Sequence, residues 1–267
     1  MSSTPSSPSE PRGATSWFVP PWLTGAVDLP TFLVLDTRSA QGRLEQRPKS
    51  VSVADLILFH GHACDGLLRG AYALRALFNL AFGDLPIDRT DILVVSKNSP
   101  CLGDVAAYLT GARARFGTHR LDDDLGVGFQ IQMISTGQAW EVHEEPGFFP
   151  PLIADWERAL SRGDLPEADL PELIAINEEA QWNWVRHELL PTRPAEHYHA
   201  RQLDSLTPPP AIHRATRTDI INRSRPAPAL FAGVYPDGPA VRAIGRSSEH
   251  TDERLRAAYR QGPPGTR

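Results

Sequence analysis

The sequence predicts an α+β domain, in which helices pack on a mixed β-sheet, followed by a C-terminal helical extension. Short apolar segments of strand character, at 31–36 and 91–97, flank a segment over 67–82 whose apolar residues recur at helical spacing. Beyond Pro150 the strand signals stop and an acidic segment of helical character follows. Together these observations place strands and helices in the first part of the chain and helices in the second.

The first elements follow from local patterns. Residues 31–36 are apolar and bounded by breakers, which predicts a strand. We expect a helix to start within 50–59, with Ser50 or Ser52 as its N-cap. The segment over 67–82 is the clearest helix of the chain, because its apolar and polar residues fall on opposite faces.

The next elements complete the predicted sheet. Residues 91–97 form an apolar run that indicates a buried strand, and a short helix over 101–110 follows it. Residues 127–135 alternate in polarity and predict another strand. A Thr-Gly turn then leads into 139–143, so these two segments are expected to form a hairpin.

The second part of the chain differs in composition. Residues 151–190 hold nine acidic residues against three arginines, and they predict two helices, around 152–161 and from about 170 to 190. The predicted divisions of the chain are a disordered arm and lead-in over 1–27, a domain over 28–150, an acidic helical extension over 151–206 and a largely disordered Pro/Arg-rich tail over 207–267. We expect the extension to cover the domain or to form a homodimer.

Composition excludes several classes of protein. A net charge of −5 and a pI near 6.0 argue against a general nucleic-acid-binding protein. No apolar run approaches the ~20 residues that cross a bilayer, and the Ser/Pro-rich start lacks the apolar core of a secretory signal. Two cysteines exclude a disulfide-stapled scaffold. We therefore expect a cytoplasmic protein that binds neither nucleic acid nor membrane.

The most unusual segment is His-Gly-His-Ala-Cys-Asp-Gly at 60–66. In an extended or turning segment the side chains of His60, His62 and Cys64 can point the same way, whereas on a helix only His60 and Cys64 share a face. Imidazole and thiolate suit zinc, copper or iron, and haem iron also takes these ligands. Because so many polar side chains are costly to bury without a purpose, the cluster predicts a transition-metal site over simple core residues.

The second cysteine, Cys101, follows a strand at the expected start of a helix, where the helix dipole favours a thiolate. Asp104 shares its helical face. The predicted metal ligands are His60, His62, Cys64 and Cys101. Asp104 or Asp65 is the predicted catalytic acid or base. Zinc is the metal we expect first, while the ligand set leaves iron and haem open.

The segment Phe-His-Gly-His-Ala-Cys-Asp-Gly at 59–66 resembles the opening motif of the FmdE family of formylmethanofuran dehydrogenase proteins, Phe-His-Gly-His-x-Cys-Pro-Gly. A cysteine and an aspartate three residues apart, Cys101 and Asp104, follow in the family's order, and so does a Thr-Gly pair at 110–111. The resemblance covers about 55–145. It implies an α+β fold and a transition metal, commonly zinc, held by the motif His and Cys residues.

The sequence also departs from the family pattern. Asp65 replaces the proline that follows the motif cysteine, and Ala112 replaces the cysteine that usually follows the Thr-Gly pair. No cysteine follows Cys101, so the zinc ribbon of some members is absent. The chain therefore resembles a divergent member with one metal site and its own extension.

His197 and His199 form a second His-x-His pattern in a Pro-flanked segment, which predicts a surface loop. Folded back over the main cluster, they would be additional cofactor-binding residues, above all for haem iron. The nearby Trp182 and Trp184 are expected to pack in the core or to form the wall of a ligand pocket or dimer seam.

Two classes of function remain open from the sequence. The first is a transition-metal-dependent enzyme that acts on a small metabolite through a lyase-, hydrolase- or cyclase-like step, for example in specialised metabolism. The alternative is a non-catalytic metal- or haem-binding carrier, sensor or accessory protein. A closed four-coordinate site favours a non-catalytic role, whereas an open site that lines a pocket favours an enzyme.

Overall fold

A computed structural model of the chain describes residues 19–37, 47–162 and 170–206. Its helices and mixed sheets confirm the predicted α+β class. The described elements belong to one compact unit. The predicted tail over 207–267 and most of the predicted N-terminal arm lie outside the described residues. No helix in the described part of the chain is both long and apolar enough to span a membrane.

The strands form two sheets. The smaller has the order β2-β1-β3, with β1 antiparallel to β2 and parallel to β3. The larger has the order β5-β4-β6-β7-β8, with β5 parallel to β4 and the remaining pairs antiparallel. The eight strands are β1 Thr31–Leu35, β2 Lys49–Ser52, β3 Ile87–Asp88, β4 Ile92–Ser96, β5 His119–Leu121, β6 Gly128–Met133, β7 Ala139–Glu144 and β8 Tyr198–Leu203.

The helices that the sequence predicts are present with close boundaries. The six described helices are α1 Val53–His60, α2 Asp65–Phe82, α3 Pro100–Thr110, α4 Pro151–Arg162, α5 Leu170–Trp184 and α6 Pro194–His197. Short 3-10 turns lie at Pro21–Gly25, Ala114–Phe116 and Asp123–Leu125. The predicted helix over 170–190 ends as an α-helix at Trp184 and continues as a π-helical turn over Val185–Leu189.

Capping decides where α1 begins. Ser52 is the N-cap, as one of the two predicted candidates, and its hydroxyl accepts a hydrogen bond from the Asp55 amide. The Asp55 carboxylate accepts one in return from the Ser52 amide at 2.8 Å. This reciprocal capping box satisfies two amides that have no partner within the helix. It fixes the start of α1 and therefore the position at which the helix presents His60, eight residues later.

The centre of the core is α2, which packs against α3 and against strands β7 and β8. Tyr72 and four leucines of α2 are completely buried. Burying each leucine stabilises the fold by roughly 1.5 to 3 kcal/mol relative to leaving it exposed. Because α2 is buried on more than one face, its N-terminus is held firmly in place, and this is the end that carries the sequence motif.

The segment around His197 and His199 is ordered secondary structure, so the predicted surface loop is wrong. Pro194 starts the short helix α6, and β8 then pairs antiparallel with β7 along its whole length. Tyr198, between the two histidines, is 1% exposed. Burial of this aromatic ring and the free edge of β7 together supply the hydrogen bonds and apolar contacts that make the segment a strand.

The loop after α3 yields a test of this packing. Gly111 has φ of 71°, and a Cβ atom there would lie 2.3 Å from the Arg89 carbonyl oxygen. We expect Gly111→Ala to destabilise the protein by about 3 kcal/mol or more, from left-handed strain and a backbone clash together. Denaturant unfolding followed by circular dichroism measures this change.

Gly137 is the matched control for that substitution. Its φ of 75° is similar, but a Cβ atom would lie 3.7 Å from the Gln132 amide nitrogen, which is an ordinary contact. Gly137→Ala should therefore show only the strain of the left-handed backbone, about 1 to 2 kcal/mol. Equal losses in both variants would contradict the close approach at Gly111.

Candidate metal centre

The His-Gly-His-Ala-Cys motif folds as the turn between α1 and α2. His60 is the last residue of α1, and Gly61 ends the helix in the left-handed conformation, with φ of 99°. Cys64 is the N-cap of α2, and its Sγ accepts a hydrogen bond from the Leu67 amide at 3.4 Å. The motif therefore turns rather than extends, and the turn brings His60 and Cys64 together.

Cys101 reaches this turn from the N-terminus of α3, where Pro100 occupies the first helical position. The Cys101 Sγ lies 3.4 Å from the Cys64 Sγ. A Cβ atom on Gly66 would lie 3.1 Å from both the Cβ and the Sγ of Cys101. The first turn of α2 therefore approaches α3 about as closely as a glycine allows.

Three donor atoms converge at this point, from His60, Cys64 and Cys101. The His60 Nε2 lies 3.7 Å from the Cys64 Sγ, and all three donors lie within 4.8 Å of one another. Around a tetrahedral zinc ion, with Zn–S of about 2.3 Å, two sulfurs lie about 3.8 Å apart and sulfur and nitrogen about 3.5 Å apart. The observed separations of 3.4 and 3.7 Å fit such an ion. The residues present can therefore hold a transition metal.

Asp104 orients the histidine of this group. The His60 Nδ1 lies 2.8 Å from the Asp104 Oδ2, and the His60 side chain is 3% exposed against 40% for Asp104. An ionised carboxylate accepts the Nδ1 proton, which leaves the Nε2 lone pair directed toward the two sulfurs. Asp104 is the predicted catalytic acid or base, and this contact gives it in addition a positioning role on His60.

The two cysteines differ in pKa. The hydrogen bond with Cys64 lowers the pKa of Cys101, and the charge of His60 lowers it further, against the effect of burial. The same hydrogen bond and burial raise the pKa of Cys64. The negative charge of the pair therefore resides on Cys101, the cysteine at the start of α3.

His62 lies outside this group. Its side chain is exposed, and its ring lies 4.4 Å from the ring of His60, centroid to centroid. Because the chain turns at Gly61, His62 does not follow the alternation that would place it beside Cys64. Across the described ranges the group that can hold a metal has three members, so the structure brings together three of the four predicted ligands.

Asp65 belongs to a buried ion network beside the centre. Arg69 donates to the Asp65 carboxylate at 3.3 Å and, through Nε and Nη2, to both oxygens of Glu144 at 2.9 and 2.6 Å. The side chains of these three residues are at most 11% exposed. The Tyr198 hydroxyl donates to Glu144 at 3.0 Å. Because charges this deeply buried require partners, Asp65 is held by Arg69 immediately next to the Cys64 ligand position.

His197 and His199 lie apart from the group of three donors. The His197 Nδ1 lies 2.6 Å from the Glu145 carboxylate, and its ring stacks on Phe148 with the centroids 3.9 Å apart. His199 is exposed on β8, opposite His143 of β7. The cofactor-binding role of these two histidines stays a prediction.

Glu157 is a polar residue of this region that the sequence analysis missed. It lies on α4, and the Gln181 side-chain amide donates to its carboxylate at 2.6 Å. Burial raises the pKa of the Glu157 carboxyl, and the charge of Asp65 raises it further. The available signal was its spacing, because Glu157 follows the buried Ile153 by one helical turn and therefore lies on the inner face of α4.

Comparison with known proteins agrees with the resemblance seen in the sequence. Residues 59–184 match the model of the family described as FmdE, Molybdenum formylmethanofuran dehydrogenase operon. The chain is also similar to the crystal structure of a tungsten formylmethanofuran dehydrogenase FmdE-like protein from Syntrophus aciditrophicus. That similarity has 19% identity and a TM-score of 0.36, over 59% of this chain and 74% of that chain. None of the curated proteins matches the chain.

The group of three donors predicts a defined metal stoichiometry. Apo-protein titrated with Zn²⁺ should bind one equivalent, and Cys64→Ser and Cys101→Ser should each weaken binding by more than about 100-fold. His62→Ala should retain one equivalent, because three donors already converge without it. Equal loss of zinc in His62→Ala and in the cysteine variants would show that His62 completes the site. Elemental analysis and circular dichroism of each variant check metal content and folding.

The contact between Asp104 and His60 predicts a smaller effect. Asp104→Asn should weaken zinc binding by about 10- to 100-fold without loss of secondary structure, since a neutral amide holds the Nδ1 proton less firmly. Asp84→Asn changes the same charge at an exposed position in the turn after α2 and serves as the control. Competition with a chromogenic zinc chelator measures both affinities. Unchanged affinity in Asp104→Asn would remove the positioning role.

Proposed function

Since this chain is a member of the FmdE family, we propose that it is a transition-metal-dependent enzyme acting on a small metabolite, with zinc as the metal. One observation carries the proposal: a group of three protein donors lies beside an open cavity of about 520 Å³. Sites with three protein ligands and a free fourth position are typical of catalytic zinc, whereas structural zinc sites have four. A cavity of this volume is typical of small-molecule sites.

The donor set also supports hydrolytic or lyase-type chemistry. Two cysteines and one histidine are a ligand set that catalytic zinc sites use, and hydrolytic zinc enzymes combine it with a separate carboxylate that moves protons. A bound zinc ion would supply Lewis acidity at the free position. Two thiolates balance its charge, so any further anion in the site would come from the substrate or from a nearby carboxylate.

The chain offers residues for each supporting task. Asp104 holds the Nδ1 proton of His60 and fixes the direction of its Nε2. Arg69 pairs with Asp65 and keeps that carboxylate from competing for the metal. Glu157, whose pKa is raised and whose carboxylate faces the charges of Asp65 and Arg69, is the group best suited to give and take a proton. In this proposal Glu157 joins Asp65 and Asp104 as a candidate acid or base.

The alternative function is a non-catalytic metal carrier, sensor or accessory protein, and the free position distinguishes it from an enzyme. We expect cobalt-substituted protein to change its visible spectrum when azide or thiocyanate is added, because these ions can enter the free position. A spectrum insensitive to both ions would show a closed site and favour the alternative.

Turnover is the second half of the test. Zinc-loaded protein is incubated with a pool of small metabolites, and their loss is followed by mass spectrometry against Cys101→Ser as the metal-free control. Selective loss of a metabolite only with the wild-type protein supports the enzyme. Glu157→Gln, which keeps the contact with Gln181 but cannot carry a proton, should bind zinc normally and slow that loss by about 100-fold or more. An open site without any turnover would favour the carrier.

A further inference from the structure

The cavity beside the metal centre has a lining that differs from the rest of the surface. It combines two tryptophans, a histidine, an amide and one charge of each sign. The residues that carry the argument are Trp22, His62, Glu179, Trp182, Asn183 and Arg186. Such a mixture of flat apolar walls and a few polar groups is typical of sites that orient a small molecule.

The cavity runs up to the predicted metal ligands. His62 and Ala63 line it, and Ala63 directly precedes Cys64. The ring of His62 lies 4.4 Å from that of His60. A molecule bound in the cavity therefore has one end beside the motif turn that carries two of the three donors.

Two tryptophans form the aromatic wall. Trp22 lies in the 3-10 turn over Pro21–Gly25 and Trp182 on α5, with ring centroids 5.1 Å apart at an angle of 64°. Both side chains are only partly buried, so each presents ring surface to the cavity. Offset or edge contacts with such rings favour a planar aromatic ligand over an aliphatic one of the same size.

One face of α5 supplies the polar groups. Glu179, Trp182, Asn183 and Arg186 are spaced at i, i+3, i+4 and i+7, which places them along one side of the helix. Over the last of them the helix widens into the π-helical turn, in which the Leu190 amide donates to the Val185 carbonyl at 2.9 Å. Such single π turns are frequent at functional sites, because they redirect a side chain without ending the helix.

The two charges of this face give the ligand a direction. The Arg186 guanidinium lies 6.0 Å from the Trp22 ring, and within the described residues no carboxylate pairs with it. A guanidinium free of an ion pair matches a carboxylate in geometry and charge. Glu179 lies about 10 Å further along the helix, where it repels a second negative charge. The cavity is therefore complementary to one carboxylate rather than two.

We infer that this cavity binds a small aromatic monocarboxylate, with its ring against Trp22 and Trp182 and its carboxylate on Arg186. The inference rests on the proposed function in one respect, since it takes the bound molecule to be the substrate of the metal centre. The opposite end of the ligand then lies beside His62, where the reacting group meets the centre. Asn183, between the tryptophan and the arginine, supplies an amide for a polar substituent.

Three related probes test the charge and the ring separately: indole-3-acetate, indole and tryptamine. Titration calorimetry with zinc-loaded protein should show indole-3-acetate binding at least tenfold more tightly than indole, and tryptamine the most weakly. Arg186→Gln should reduce the affinity for indole-3-acetate to that for indole and leave indole unchanged. Trp182→Leu should weaken both. Arg158→Gln, an exposed arginine on α4 outside the cavity, is the control and should leave all affinities unchanged.

Several outcomes would overturn the inference. Equal affinity for the acid in Arg186→Gln and wild type would do so, and so would equal affinity for all three probes. Because Arg186 is exposed, its substitution leaves the core intact even if Trp182→Leu fails to fold. Binding of the acid by the metal-free Cys101→Ser protein supports the cavity independently of the metal. If zinc binds and the free position accepts azide while no probe binds, this inference fails and the proposed function stands.

Discussion

The close approach of α2 and α3 at their N-termini is the constraint on which the centre depends. Cys64 caps one helix and Cys101 lies in the first turn of the other, and their sulfurs are 3.4 Å apart. Gly66 permits this approach, because any side chain there would press on Cys101. The core residues of α2 hold that helix in place from below, so the spacing of the sulfurs follows from helix packing rather than from the motif alone.

A second constraint ties the helical extension to the same place. The Arg69 guanidinium stacks on Phe149 at 3.8 Å and lies 5.9 Å from Trp184, while its donors bind Glu144 and Asp65. The Trp184 indole also donates to the Phe148 carbonyl at 2.9 Å. One buried cation thus links α2, the end of β7 and the start and end of the extension. Removing either carboxylate would leave that charge without a partner, which is far more costly than losing a surface ion pair.

These two constraints separate binding of the metal from binding of a substrate. The donors belong to α1, α2 and α3, which are packed into the core. The cavity side chains belong to the 3-10 turn before β1 and to α5, which border the core from outside. Changes in the extension can therefore alter what the cavity accepts without moving the three donors. In the proposed enzyme, chemistry and substrate choice would reside in different parts of the chain.

By itself the sequence determined the fold class, most of the helices and strands, and the presence of the motif residues. Local causes suffice for these: helical spacing in α2, the Ser52 cap, the prolines and the Thr-Gly hairpin turn. It also placed Cys101 correctly at the start of a helix, because strand, loop and proline are contiguous there. What the sequence could not decide is which residues meet. His62 is separated from the other donors by the left-handed turn at Gly61, the strand at His199 depends on a free edge of β7, and Glu157 faces inward only because α4 packs where it does. Each of these outcomes depends on contacts between residues far apart in the chain, and only the tertiary structure supplies them.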